Sequence, residues 1–265
     1  MSTNMTPQDI LSPPVQQVAA TLQLGAFIKT YKATLAGTIG GIITCIVVAA
    51  LFLAGATILH DTFNTTTIII FLIFVLLFLG GAISMIYDAI QVANRQIYLF
   101  QQGIVIEKKG QVEAFPWNQA SEIQQSITRH YRNGRYVSTT YNYTLRRTDG
   151  YQIKLNNLTK DIAELGQAIA KGITQELVPR ALYSIRAGQT LTFAPFSINQ
   201  QGISSQGEFI PWQQVQEVNV NRGSVLIKKI GTKSIWKTVQ VAKIPNCLVF
   251  TIITEELLRQ TRSGR

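Results

Sequence analysis

The chain has 265 residues, of which 46% are hydrophobic and only 14% charged, and it carries a net charge of +10. That length allows more than one domain, and the charged share is far below the usual figure of about 25%. Its two cysteines, Cys45 and Cys247, and its two histidines, His60 and His130, have neither framework nor metal-ligand spacing, which argues against a disulfide scaffold and a thiolate or imidazole metal centre.

Residues 1–14 are polar and include Pro7, Pro13 and Pro14, the composition of a disordered tail. Val15, Val18, Ala19, Leu22 and Ala26 then follow helical spacing and predict a short interfacial helix, with Pro14 in its first turn. Residues 1–32 are accordingly expected to be a tail carrying that helix.

No charge occurs from Ala33 to Leu59 or from Thr62 to Tyr87. Each run exceeds the roughly 20 residues a helix needs to cross hydrocarbon, where a helix satisfies its own backbone polar groups. A short turn at His60-Asp61, with Phe63-Asn64, makes the pair an antiparallel transmembrane hairpin over residues 33–88. Lys29 and Lys32 precede it, and Arg95, Lys108 and Lys109 follow it. The positive-inside rule then predicts a two-span cell-membrane protein with both termini cytoplasmic. Gly37, Gly40, Gly41, Gly55, Gly80 and Gly81 allow close helix packing, with Gly37–Gly41 read as a contact inside the hairpin. The absence of charge in both runs argues against an ion or proton path.

The positive charge lies beyond the hairpin: residues 88–265 hold 22 of the 24 basic and 12 of the 14 acidic residues. Here the pattern turns to short β segments. Strands are predicted at Ile97–Phe100, Ile104–Glu107, Val112–Phe115, Glu122–Arg129, Tyr136–Arg147 and Tyr151–Leu155, with Asn133-Gly134 as a hairpin turn. Gly103 is expected to supply backbone freedom in the first turn. Ile162, Leu165, Ala168, Ile169, Ile173 and Leu177 share one helical face that closes at Pro179. A second series of strands runs from Thr190 to Val241, and a helix opens near Pro245 and extends to about Arg259.

The two series share wording. Gln101-Gln102-Gly103-Ile104 leads to Phe115-Pro116-Trp117, and Gln200-Gln201-Gly202-Ile203 leads to Ile210-Pro211-Trp212. The copies start about a hundred residues apart, a domain-sized period. Proline cannot donate to a β ladder, and the tryptophan after it brings a large apolar face. Recurrence of Pro-Trp favours a structural anchor over an aromatic ligand platform. The helix starts also rhyme, Leu155-Asn156-Asn157-Leu158 beside Ile244-Pro245-Asn246-Cys247.

Gly103, Pro116, Trp117, Ile123 and Asn156 or Asn157, with Gly202, Pro211, Trp212, Val218 and Asn246, resemble the pattern of bacterial pleckstrin-homology-like (PH-like) domains. The resemblance covers roughly residues 95–260. It implies an α+β chain: a two-helix transmembrane hairpin followed by two tandem PH-like β-barrel modules, 95–179 and 186–260, each a strand meander closed by a C-terminal helix. The turn after the first strand is only Gln101-Gln102-Gly103, without a basic loop, so specific inositol-phosphate binding is not carried over.

Basic and aromatic residues concentrate at Arg129, Arg132, Arg135 and Tyr136, continued by Tyr141, Tyr143, Arg146 and Arg147. On paired strands alternate residues share a face, so these are expected to build a patch for anionic lipid headgroups or a protein partner. Lys228 and Lys229, with Lys233, Trp236 and Lys237, form a second candidate patch. Beside a bilayer, nucleic acid is not an expected partner. There is no phosphate-cradling glycine loop, no Gly-x-Ser-x-Gly and no His-Glu-x-x-His. The expectation is therefore no enzymatic activity and no cofactor, but binding or scaffolding at the cytoplasmic membrane surface. The alternative is an accessory or sensor subunit of a membrane complex whose activity resides in another chain.

Overall fold

The computed structural model describes residues 11–58, 64–231 and 234–263. The expected turn through His60, Asp61 and Phe63, the residues before Leu11, and Lys233 lie outside the described residues. The architecture is α+β, with two long apolar helices and a set of antiparallel sheets. It divides into two compact units.

The apolar unit spans residues 32–96 and includes 108–110. It contains two helices, Ala36–Ile58 and Thr65–Val92. Within them Gly37–Ile58 and Thr65–Ile90 are long and apolar enough to cross a membrane, and little of their most apolar stretches is buried in the protein. Leu51, Leu76 and Ile83 stand among many exposed apolar side chains on these helices. Asn64 starts the second helix: its side chain accepts from the Thr67 N–H at 2.9 Å. Phe52 stacks on Phe74 at 5.0 Å, and glycine lets the helices approach. A Cβ on Gly41 would lie 2.2 Å from the Met85 methyl, and one on Gly55 would lie 2.9 Å from the Phe71 ring, whereas Gly37 and Gly40 face open space. The expected Gly37–Gly41 pair therefore splits, and only Gly41 serves the helix contact. The chain enters and leaves this unit side by side, because the Ala33 N–H donates to the Arg95 carbonyl at 3.1 Å.

The second unit holds the remaining residues, including the N-terminal segment up to Tyr31. Its first sheet orders four strands: β1 (Phe27–Lys32), β2 (Gln96–Phe100), β3 (Gly103–Lys108) and β4 (Gln111–Pro116). The sheet is buried on both faces, which is why β2 and β3 read as continuous apolar runs. Ile97, Leu99, Ile104 and Ile106 enter one core, while Tyr98, Phe100 and Val105 enter another. That second face is covered by α1 (Pro13–Thr21), through Leu11, Val15, Ala19 and Leu24. From Leu11 onward, then, residues expected in a tail belong to the fold. Of the apolar positions that suggested an interfacial helix, Val15, Val18 and Ala19 pack on protein, while Leu22 and Ala26 lie beyond the helix and are exposed.

A single 3-10 turn, Trp117–Gln119, leads to the second sheet, β5 (Ala120–Arg132), β6 (Arg135–Arg147) and β7 (Gln152–Asn156). Helix α4 follows; numbering the two apolar helices α2 and α3, it spans Ile162–Arg186 with Pro179 inside it. The expected stop at Pro179 is thus corrected. A proline costs one ladder hydrogen bond, and here apolar packing on both sides of it carries the helix through. Ile162, Leu165, Ile169 and Ile173 lie in the first core, Ile185 lies in a second, and Leu177 packs against both. One helix therefore serves two cores.

The second core sits between a four-stranded and a three-stranded sheet. The former comprises β8 (Leu191–Phe193), β9 (Phe196–Ile198), β10 (Gly202–Ser205) and β11 (Glu208–Pro211). After the 3-10 turn Trp212–Gln214 the latter comprises β12 (Val215–Asn221), β13 (Ser224–Lys229) and β14 (Ile235–Gln240). Helix α5 (Cys247–Ser263) ends the chain, burying Val249, Phe250, Ile253, Leu257 and Leu258. The sheets remain separate, with no closed barrel.

Candidate functional site

The repeated Pro-Trp segments are anchors. Trp117 and Trp212 are each 2% exposed. The Trp117 indole N–H donates to the Gln101 carbonyl at 3.1 Å and that of Trp212 to the Asn199 carbonyl at 2.9 Å. Their backbone N–H groups donate to Gln102 and Gln201. Each tryptophan thus ties the start of a three-stranded sheet to the turn between the second and third strands of its four-stranded one, with no ring face open to a ligand. Pro116 and Pro211 end β4 and β11 just before them. Gly103 and Gly202 open β3 and β10 without positive φ, so the expected turn freedom is not their role. They are needed for close approach: a Cβ would lie 2.8 Å from the Phe115 carbonyl oxygen at Gly103 and 2.2 Å from that of Ile210 at Gly202.

The arginine-rich hairpin is split by the structure. Strands β5 and β6 pair from Ala120↔Arg147 to Arg132↔Arg135, with a bulge at His130/Tyr131. At the base, Tyr143 is buried and Tyr141 stacks on it at 6.4 Å. Arg146 faces Glu122 across the strands at 3.3 Å. Arg147 forks onto Asp149, donates to the Ala114 carbonyl at 3.0 Å and lies 4.9 Å from the Tyr151 ring centre. Hydrogen bonding to Asp149 pushes the Arg147 pKa further up and holds the Asp149 carboxyl below its usual range. These two arginines are structural.

At the other end every residue from Ile127 to Ser138 is exposed. The side chains of Arg129, Arg132 and Arg135 have no hydrogen-bond or ion-pair partner among the described residues. Tyr131 and Tyr136 are each 60% exposed and meet edge to face at 6.1 Å, with Val137 59% exposed beside them. Arg135 and Arg146 are separated on β6 by roughly 36 Å at ordinary strand rise. The expected single patch therefore resolves into a structural base and a free basic-aromatic tip. No acidic residue occurs between Glu122 and Asp149 to neutralise that tip.

Among the described residues of the second candidate patch, Lys228, Lys229 and Lys237 are engaged within the fold. Lys228 pairs with Glu217 at 2.6 Å, on facing strands. Lys229 and Lys237 lie 5.7 and 5.6 Å from the Trp236 ring, whose N–H donates to Glu208 at 2.8 Å. The bond from Trp236, then the charge of Lys237, holds Glu208 below the usual carboxylate range. Among the described residues no group of acidic, histidine and cysteine side chains could hold a metal ion. One open hollow of about 300 Å³ lies between the ends of α4 and α5, lined by Leu182, Ile185, Arg186 and Leu257.

Two asparagines, named in the sequence for the rhyme of the helix starts and for the PH-like resemblance, perform one task. Asn157 accepts from the Tyr141 N–H at 2.7 Å and donates to the Thr139 carbonyl at 2.8 Å. Asn246 accepts from the Ile123 N–H at 2.8 Å and donates to the Ser121 carbonyl at 3.0 Å. Each side-chain amide reads an N–H and the carbonyl two residues before it, as a strand would. One closes the outer edge of β6, and the other closes the base of β5.

The fold and this surface define an α+β protein with an apolar helical hairpin and a projecting basic β arm. The chain matches a family of unknown function (DUF6585) over residues 1–263, and it belongs to that family. No curated protein and no solved structure matches it.

Proposed function

We propose that this chain is a membrane-anchored binding or scaffolding protein whose recognition element is the tip of the β5–β6 arm. In this reading α2 and α3 cross the bilayer, and the positive-inside rule puts the soluble part in the cytoplasm. The soluble part is then two tandem PH-like modules sharing α4. The order that recurs along the chain supports this: four-stranded sheet, Pro-Trp turn, three-stranded sheet, helix. The modules differ at the arm, for the turn matching it in the second is only Asn221-Arg222-Gly223.

The observation that carries the reading is the unpaired state of Arg129, Arg132 and Arg135 beside exposed Tyr131 and Tyr136, while Arg146 and Arg147 are consumed by the fold. Such a tip attracts an anionic surface, whether lipid headgroups or an acidic protein. The test reverses all three charges to Glu in the full-length protein. Flotation with phosphatidylserine vesicles and capture of membrane partners are then compared with wild type. Loss of either supports the reading, and retention of both at wild-type level overturns it.

A further inference from the structure

The arm carries a second feature besides its charge, an open backbone edge. Ile123 directs both its N–H and its carbonyl away from β6, to Asn246. Backbone direction alternates along a strand, and the β5–β6 register is regular from Glu122 to His130. The N–H and carbonyl groups of Gln125, Ile127 and Arg129 therefore point the same way. None of them bonds another backbone group among the described residues. The edge is covered as far as Gln124, whose side chain donates to the Ala242 carbonyl at 2.8 Å, and is open beyond it up to the bulge at His130.

Exposed edges of this kind template strand addition, and natural proteins usually blunt them. The side chains along this edge select the occupant. Arg129 and Arg132 lie on β5, Arg135 faces Arg132, and half-exposed Ile127, two residues before Arg129, offers an apolar contact. The ribbon of a second copy would bring more arginines, and no acidic residue lies between Glu122 and Asp149 to meet them. We propose, resting on the reading above, that the edge of β5 from Gln125 to Arg129 takes up an extended acidic segment of a partner protein as an added strand. Its backbone continues the ladder that Asn246 begins, and its carboxylates meet Arg129, Arg132 and Arg135.

The test uses the full-length protein in zwitterionic detergent. The probes are a short labelled peptide of alternating Glu and Val, its Lys-for-Glu counterpart, and the acidic peptide N-methylated at alternate residues. Binding is expected for the acidic peptide alone. It should weaken at least about tenfold on N-methylation, which removes the ladder donors, and at least about tenfold in R129E/R132E/R135E. Equal binding of the N-methylated peptide overturns strand addition and leaves charge alone. Arginine-dependent binding to phosphatidylserine vesicles without peptide binding overturns this proposal in favour of a lipid surface, while the broader reading stands. Protection of the Ile127 amide by self-association, insensitive to the arginine variant, also overturns it. Failure of both peptide and vesicles to respond to the arginines removes both readings.

Discussion

Asn246 and Ile123 exchange hydrogen bonds as residues of neighbouring strands do. The Asn246 N–H donates to the Ile123 carbonyl, and its side-chain oxygen accepts from the Ile123 N–H, each at 2.8 Å. Asn246 has φ 51°, a left-handed conformation that asparagine tolerates better than most residues. The sheet of the first core is thereby bonded to the start of the helix that closes the second.

Replacing Asn246 separates the backbone and side-chain parts of this junction. Asn246→Gly keeps the conformation but loses the bonds to Ile123 N–H and Ser121 O, a cost of about 1–3 kcal/mol for groups left partly buried. Asn246→Ala adds the strain of left-handed backbone and is expected to be less stable still. Chemical unfolding of the full-length protein in detergent, followed by tryptophan fluorescence, reads both. An Ala variant as stable as wild type would show that the junction contributes nothing.

Gly172 on α4 lets the helix rest on Trp117. A Cβ there would lie 2.4 Å from the indole nitrogen, which already donates to the Gln101 carbonyl. Gly172→Ala should therefore destabilise by about 1–3 kcal/mol, despite alanine's better helix propensity. Unfolding midpoints compared with those of Ala168→Gly, a loss of propensity on the same helix, check this. Stabilisation by Gly172→Ala would refute the contact.

The arginines of the hairpin should fall into two stability classes. Arg147→Ala loses the fork to Asp149, the bond to the Ala114 carbonyl and the Tyr151 contact, and is expected to cost on the order of 1 kcal/mol. Arg132→Ala and Arg135→Ala remove no such contact and should stay within about 0.5 kcal/mol of wild type. Thermal unfolding of the three variants decides it, and a destabilised Arg132→Ala would mean that the tip is not free.

Stability should decline at high pH. Burial first, then the bond to Glu107, pushes Tyr98 up to about 12, and burial pushes Tyr143 up to about 12. An unfolded tyrosine titrates near ~10. The folded state thus favours the neutral phenols, so their contribution is complete below pH ~10 and is lost as pH rises towards 12. Tyr98→Phe should flatten the decline in unfolding free energy over that range, and an unchanged slope would exclude Tyr98 as a source.

Cys247 should be a slow thiol. Burial pushes it up to about 11, and the thiolate is the reactive form. In a Cys45→Ser background, maleimide labelling at pH 8 is expected to be slow in the folded protein and to accelerate on unfolding. Equal rates in both states would contradict the buried position.

Much of this arrangement is legible in the residues. The apolar runs at 33–59 and 62–87, the Asn133-Gly134 turn and the paired Pro-Trp segments identify their elements because each rests on local chemistry. Strand β1 escapes, because Phe27–Lys32 alternates weakly and its partner β2 lies beyond the apolar helices. Pro179 misleads for a related reason: the packing of Leu177, Val178, Ala181 and Leu182 against the second core is long-range and overrides the local signal. At the arm the charge is visible in the sequence. The split between engaged Arg146 and Arg147 and free Arg132 and Arg135 depends on strand register, which only Asp149 and Glu122 in place reveal.

The position of the apolar helices between β1 and β2 has a consequence for how the molecule is made. The first strand of the sheet leaves the ribosome before either helix, and its neighbour follows only after both. The four-stranded sheet therefore cannot close until both apolar helices have been synthesised and the chain has come back to the point where Ala33 and Arg95 meet. Truncating the chain ahead of Gln96 would discard α1 and β1 with the hairpin and leave β2 as a raw edge. A version without the apolar helices should instead keep residues 11–32 and join Lys32 to Gln96 through a tight turn, treating residues 33–95 as an oversized loop.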